Sequence, residues 1–407
     1  MAVQKVLSEV ANSFCYSNDF IKEFGENHNL NIIKGSSFDF TLIKENKKKK
    51  LNPILKLAKP QDSKAITDLV KEVYDGSYPY KEMEDEQEVC KMIESGEAIF
   101  ILFMNEKRQI IGSTCFVLDF KAKRGNMRTW VVKKEYHGNF ESTKSLIGCC
   151  LCIWPKYKNQ IFMWYGEVRT AHAKTQYILN LCTLKPVGFY PNKDVFFDKI
   201  ESDILQVSYD KRALHKYRCK KKPNILPVIK DLFLFMDQRY NLGAYTIFNP
   251  NIELDQNKLK KLQGQLIEET CIDKFGYVTI ILSFKNSSSY LEFLYTPTVQ
   301  NFEKTKYYIK SLEELFVLVQ EFIRYAQQLD VRYYEVFVSA YNPSHQKIFL
   351  DLGLTPRGYV PSWEYNSQIN CFEDRILFNF CNGPVDGKIT VYVENKALLD
   401  ILGVTMY

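Results

Sequence analysis

A chain of 407 residues is longer than one ordinary domain of roughly 100–200 residues and predicts two or three. An apolar share of 46 % and a charged share of 25 % exclude collagen-like, fully disordered and membrane classes. Fifty-four Lys and Arg against 48 Asp and Glu leave +6, which tolerates an anionic ligand but falls short of a nucleic-acid-binding surface.

The N-terminus mixes Lys5 and Glu9 into its apolar residues, so no secretory signal is expected. The longest nearly apolar run, Leu146 to Trp154, is about half of what a membrane span needs. Eleven scattered cysteines read as reduced thiols in a cytoplasmic protein. Two lysine clusters run into proline, Lys47 to Lys50 before Pro53 and Lys220 to Lys222 before Pro223, and suit exposed connections. They divide the chain into an N-terminal extension (1–52), a first domain (53–218) and a second (219–407).

The first domain opens with a short strand, Leu55 to Leu57. Asp62 or Ser63 then caps a helix whose apolar positions Ile66, Leu69, Val70 and Val73 repeat at helical spacing. A second amphipathic stretch covers Asp85 to Ile93. Strands are expected over 98–104 and 110–119, separated by the polar turn Asn105 to Arg108, and again over 128–132. A glycine-bearing turn leads into a helix from about Thr143 to Trp154, stopped by Pro155. Strand 161–169 and helix 173–181 complete the order β-α-α-β-β-β-α-β-α-β, the alternation of a mixed sheet flanked by helices.

An internal repeat is the strongest signal in the chain. Residues 167–191 slide onto 337–361, an offset of 170 without a gap. Gln176 falls on Gln346, Leu184 on Leu354, Pro186 on Pro356, Gly188 on Gly358 and Pro191 on Pro361. Each copy reads as a strand, a helix with one apolar face and a Pro-x-Gly-aromatic-x-Pro exit, which predicts a duplicated fold.

The physics of the turn before the expected Thr143 helix points to an anion. The first amides of a helix lack intrahelical partners, and its dipole places partial positive charge there. A pyrophosphate fits such an end, Gly138 lets the backbone approach it, and Ser142, Thr143 and Lys144 can add polar contacts. Phe140 adds bulk and Glu141 a carboxylate at the same place. A plain capped helix after a hairpin is the other reading of these residues.

The element order, together with Glu135-Tyr136-His137-Gly138-Asn139-Phe140-Glu141-Ser142-Thr143 after a strand, resembles the GCN5-related N-acetyltransferase (GNAT) family. Members commonly carry P-E-Y-R-G-x-G-x-G there. Glu135, Tyr136 and Gly138 match it, while His137, Phe140 and Ser142 stand at the positions of Arg and two glycines. The resemblance implies an α/β (α+β) fold of two tandem GNAT-like domains, each a mixed, mostly antiparallel sheet flanked by helices. It also implies an acetyl-CoA or other acyl-CoA site formed by Val131, Val132, His137, Gly138, Asn139, Phe140, Glu141, Ser142 and Thr143.

The same resemblance assigns catalytic places. Glu167 falls on the strand facing the cofactor cleft, as general base. Arg169 and His172 follow toward the strand end and the loop, where acceptor and cofactor would meet. The family's tyrosine proton donor falls on Leu179, and on Phe349 in the second copy, so Tyr177, Tyr165 or a water must serve. Tyr78-Pro79-Tyr80 lies where members line the acceptor pocket. In the second domain the turn falls near Tyr307 to Leu312 and runs into Glu313-Glu314, carboxylates that compete with phosphate, so that half reads as structural or as part of the acceptor cleft.

Cys149 and Cys152 have C-x-x-C spacing inside an apolar helix with no second pair, which reads as packing thiols. The five histidines show no metal-binding pattern. The expected activity is acyl-CoA-dependent N-acyltransfer to a primary amine, on a small molecule or on a protein lysine or N-terminus. A catalytically silent acyl-CoA-sensing module and an aminoacyl-tRNA-dependent transferase remain as alternatives.

Overall fold

The computed structural model describes residues 36–37, 50–385 and 389–404. It divides into two compact units: the first holds the chain up to Pro186 with 196–198 and 205–217, the second holds 187–195, 199–204 and everything from Arg218 on.

In the first unit, β1 (Ile54–Leu57) is followed by α1 (Ser63–Tyr74) and α2 (Glu86–Ser95), then by β2 (Ala98–Met104), β3 (Ile110–Asp119) and β4 (Arg124–Val132). Next come α3 (Ser142–Tyr157), β5 (Met163–Arg169) and α4 (Ala173–Leu181). Strands β6 (Lys185–Phe196) and β7 (Lys199–Tyr209) contribute residues to both units, and α5 (Lys211–His215) closes the first. β1 to β4 form an antiparallel meander, and β5 runs parallel to β4.

Helices cover both faces of this sheet. Ile66, Leu69, Val70 and Val89 of α1 and α2 pack on Phe100, Leu102, Cys115 and Val131. Ile147, Cys150 and Trp154 of α3 and Ile178 and Leu179 of α4 pack on Phe116, Trp164 and Val168. Because both faces are covered, every residue of β2 is buried, as a strand between two helical layers requires.

Several boundaries differ from expectation. β4 begins four residues before Arg128, because Arg124 to Asn126 pair with β5 as well as β3. α3 runs through Pro155 to Tyr157, since a proline in the last turn forfeits a single hydrogen bond. Asp62 is the N-cap of α1, but its carboxylate accepts from the Lys59 amide (2.8 Å) rather than from the helix.

The second unit contains the short parallel strands β8 (Asn224–Ile225) and β9 (Thr246–Ile247) and the helices α6 (Lys230–Tyr240) and α7 (Gln256–Gln263). The meander β10 (Leu266–Ile272), β11 (Val278–Phe284), β12 (Ser287–Thr296) and β13 (Asn301–Tyr308) follows. After α8 (Leu312–Gln328) come β14 (Tyr333–Ser339), α9 (Pro343–Asp351), β15 (Thr355–Asn366), β16 (Cys371–Cys381) and α10 (Val393–Ile401). β14 is parallel to β13 and antiparallel to β16, which pairs with β15.

The repeat is physical. Gln176 reaches from α4 to the Arg169 carbonyl at the end of β5 (3.1 Å), and Gln346 from α9 to the Ser339 carbonyl at the end of β14 (2.9 Å). The Leu184 and Leu354 amides each close back on their helix, to Leu179 and Phe349 (3.0 Å both). Just after the second proline, Asn192 and Ser362 take the same left-handed backbone (φ 52° and 54°). Gly188 and Gly358 face each other as register partners, so closely that a Cβ on Gly358 would meet the Val187 carbonyl oxygen at 2.5 Å.

Candidate functional site

The site starts from β4 and β5. Their parallel ladder pairs Arg124 with Met163, Gly125 with Trp164 and Asn126 with Tyr165, and ends there, although the strands continue to Val132 and Arg169. A gap therefore opens between their C-terminal ends. Thr129 sits in β4 with φ 55°, where the β3–β4 register shifts, and this bulge re-aims the strand beside the gap. The second unit builds the same device: the β13–β14 ladder ends at Phe302 and Tyr334, and Lys304 bulges with φ 55°.

Alternation along β4 separates Val131 from Val132. The Lys133 amide donates to Ile111 (2.9 Å), so Lys133 and Val131 turn their backbone groups toward β3, and Val132 turns its own toward the gap. The Val132 carbonyl accepts from the His137 Nε2–H at 2.9 Å. His137 thereby ties the turn to the strand end.

The turn itself is held by its neighbours. The Leu51 amide donates to Asn139 (2.7 Å), and the Glu141 amide donates to Leu51 (2.9 Å), a backbone strap that sequence reasoning missed because it carries no side-chain signal. The strap uses the Glu141 amide. Among the described residues, no carbonyl accepts from the amides of Gly138, Phe140 or Thr143. Gly138 has φ 84°, with open space where a Cβ would stand. The Phe140 ring, 3 % exposed, turns inward onto Phe103 (5.5 Å between centroids). Ser142 is the first residue of α3 and Glu141 its N-cap, without a side-chain cap. Lys174, in the first turn of α4, has its pKa lowered by burial and then by Lys50, against the pull of Glu141. Positive charge therefore gathers beside an uncapped helix start. This geometry fits a diphosphate, whose charge gains about 0.3–1 kcal/mol from a helix dipole, and more where partly buried.

The corresponding helix start in the second unit is filled. Ser311 and Glu314 form a reciprocal cap on α8, and Glu314 also accepts from the Ser289 hydroxyl (2.8 Å). Glu313 is ion-paired with Lys258 at 2.7 Å, and that hydrogen bond lowers its pKa.

Tyr165, Glu167 and Arg169 lie on the face of β5 turned toward the α1–α2 layer, alternating with Trp164 and Val168, which join the core under α3 and α4. Glu167 is exposed there. On the same face the Arg128 guanidinium pairs with Glu82 (3.1 Å) and stacks on Tyr80 (4.9 Å). Burial works against that charge, but Tyr78 and Glu82 outweigh it and raise its pKa. Tyr78 packs on Tyr74 (4.7 Å) and shares a hydrogen bond with Thr129 (3.0 Å). Its hydroxyl pKa is raised, mainly by burial.

Tyr177 is half-buried against the core on the α3–α4 side, the other face from Glu167. His172 is exposed, the N-cap of α4, with no side-chain cap bond. Leu179 is buried. Cys149 and Cys150 are buried in the core, and burial raises both thiol pKa values well above the usual range. Among the described residues no group of three His, Cys, Asp or Glu could hold a metal, and no helix is long and apolar enough to cross a membrane.

No protein-family model matches this chain, and no curated protein matches it. Solved structures similar to part of it include N-acetyltransferases. The spermidine N-acetyltransferase of Vibrio cholerae, in complex with CoA and spermine, is 16 % identical, with 38 % of this chain and 95 % of that one covered and a TM-score of 0.33. The ribosomal-protein-S5-alanine acetyltransferase of Vibrio fischeri is 14 % identical, over 43 % of this chain and 97 % of that one, with a TM-score of 0.33.

Proposed function

We propose that the first unit is an acyl-CoA-dependent N-acyltransferase of the GNAT type, which moves an acetyl or other acyl group to a primary amine by direct transfer in a ternary complex. One observation carries this: the parallel pair β4 and β5 parts beyond Asn126 and Tyr165, directly ahead of an uncapped helix start at Ser142. Bound acyl-CoA supplies an activated thioester. The amides of Gly138, Phe140 and Thr143 hold its diphosphate, with Lys50 and Lys174 nearby. Val132 offers its N–H toward the gap to polarise the acyl carbonyl.

Glu167 takes the proton from the acceptor ammonium on the α1–α2 face. The amine nitrogen then forms the new C–N bond as the C–S bond breaks and gives up its second proton to solvent, while the departing sulfur takes a proton from water or from the Tyr177 hydroxyl, which solvent reprotonates. His172 borders this region at the start of α4. The second unit, with its capped α8, serves as scaffold.

Assay with acetyl-CoA and a panel of primary amines should release free thiol. Glu167→Gln is expected to lower kcat by about 10²- to 10⁴-fold while changing acetyl-CoA affinity less than about threefold. Wild-type turnover retained by Glu167→Gln would remove Glu167 from the chemistry. The buried Leu179, at the family's donor position, favours one second reading, a silent acyl-CoA sensor. Binding without turnover on every amine would select it.

A further inference from the structure

We propose that Cys219 and Cys371 form a reversible disulfide, a redox site of the second unit that stands independently of the acyltransferase reading. The second unit resumes at Arg218, which bridges to Phe372 near the start of β16, and the Cys219 amide donates to the Phe372 carbonyl (2.7 Å). The two cysteines thus adjoin one backbone bridge, and their thiols share a hydrogen bond. Both are half-buried, within reach of a small reagent. Among the described residues, the Cys150 and Cys182 thiols also share a hydrogen bond, but both are wholly buried in the core of the first unit.

Neighbouring side chains hold the Cys219–Cys371 pair in place. The Arg218 guanidinium donates to the Asp374 carboxylate (Nε at 2.9 Å) and to the Leu242 carbonyl (2.6 Å). Asp374 also accepts from the Ser362 amide (2.9 Å) and from the Tyr359 hydroxyl. Arg218 and Asp374 are buried, so parting them is costly. The backbone beside each thiol is therefore fixed, and a fixed dithiol closes with little loss of freedom.

The oxidant is a small disulfide, glutathione disulfide. The Cys219 thiolate attacks one of its sulfurs, its S–S bond breaks and one glutathione leaves. The Cys371 thiolate then attacks the Cys219 sulfur and expels the second glutathione. The two cysteine protons end on the two glutathiones, so one dithiol is oxidised as one disulfide is reduced. Cys219 leads, because the exposed Lys220, Lys221 and Lys222 follow it and draw an anionic reagent. Burial, then the nearby Cys219 thiol, pushes the Cys371 pKa up to about 11, which suits the second step. Closure links residues roughly 150 positions apart and confines the unfolded chain.

The full chain is incubated with glutathione disulfide until Cys271, exposed in β10, carries glutathione. Remaining thiols are then alkylated, and peptides are mapped by mass without reduction. One linked pair, joining Cys219 to Cys371, is expected, with a mass loss of about 2 Da that dithiothreitol reverses. Cys219→Ser and Cys371→Ser should each abolish it. The linked protein should unfold at a urea midpoint higher by about 0.5 M or more, a shift absent in Cys371→Ser. Cys219 and Cys371 left unlinked once Cys271 is modified, linkage of either to another cysteine, or an unchanged midpoint in the linked protein would overturn the inference.

Discussion

Single residues decide whether the turn after β4 is open. Phe140 looked like an obstruction in the sequence, because a benzyl group stands where the resembling family has glycine. Its ring instead fills the core beside Phe103, and the backbone gives no such hint until the tertiary packing is known. Gly138 was legible, since its left-handed φ of 84° is a backbone demand that a sequence position can advertise. His137 was legible only as a position. Its bond to the Val132 carbonyl makes it the tie between strand end and turn. Removing that tie in His137→Ala is expected to cost about 0.5–1.5 kcal/mol in urea unfolding and to weaken acetyl-CoA binding several-fold. An unchanged urea midpoint and affinity would assign the turn's shape to the Leu51 strap alone.

At the scale of elements, the continuous apolar runs of β2 and β3 marked strands correctly, because a strand covered on both faces is buried nearly throughout, and α4 falls on the residues expected for it. The sequence pattern missed the start of β4, whose first residues alternate with polar ones facing the α1–α2 layer, and it ended α3 early at a proline that the last turn tolerates. The gap between β4 and β5 and the bulge at Thr129 were invisible, since register belongs to a pair of strands rather than to either alone. The repeat was visible through Gln, Leu, Pro and Gly identities, of which the Gln, Leu and Gly pairs have causes in a side-chain hydrogen bond to the strand end, a helix exit and a close backbone approach. Gly358→Ala tests the last of these. Its Cβ would press on the Val187 carbonyl and the Gly188 Cα (2.5 and 2.6 Å), both backbone, so a loss of about 1–3 kcal/mol or more is expected in chemical denaturation. A loss below about 0.5 kcal/mol would mean that the strands separate freely there.

For the whole molecule, the two units share a plan but differ at the helix start that follows the parted strands. The α8 helix start is filled by Ser311 and Glu314, so one acyl-CoA per chain is expected. The second unit has its own titration signature. Burial, reinforced by Arg375, lowers the His345 pKa from the ordinary histidine value of 6.5 to about 4. Between those values the unfolded chain binds more protons than the folded one, so stability holds above about pH 6.5 and falls as the pH drops toward 4. The slope is up to about 1.4 kcal/mol per pH unit, and His345→Gln should flatten it in urea melts. A slope unchanged by that substitution would place the acid sensitivity elsewhere. The most direct test of the functional account is calorimetric titration of the full chain with acetyl-CoA, wild type beside Gly138→Asp. One site is expected in the wild type and none in a variant that melts as a folded protein. Equal affinity in the two, or no heat from the wild type, would contradict it.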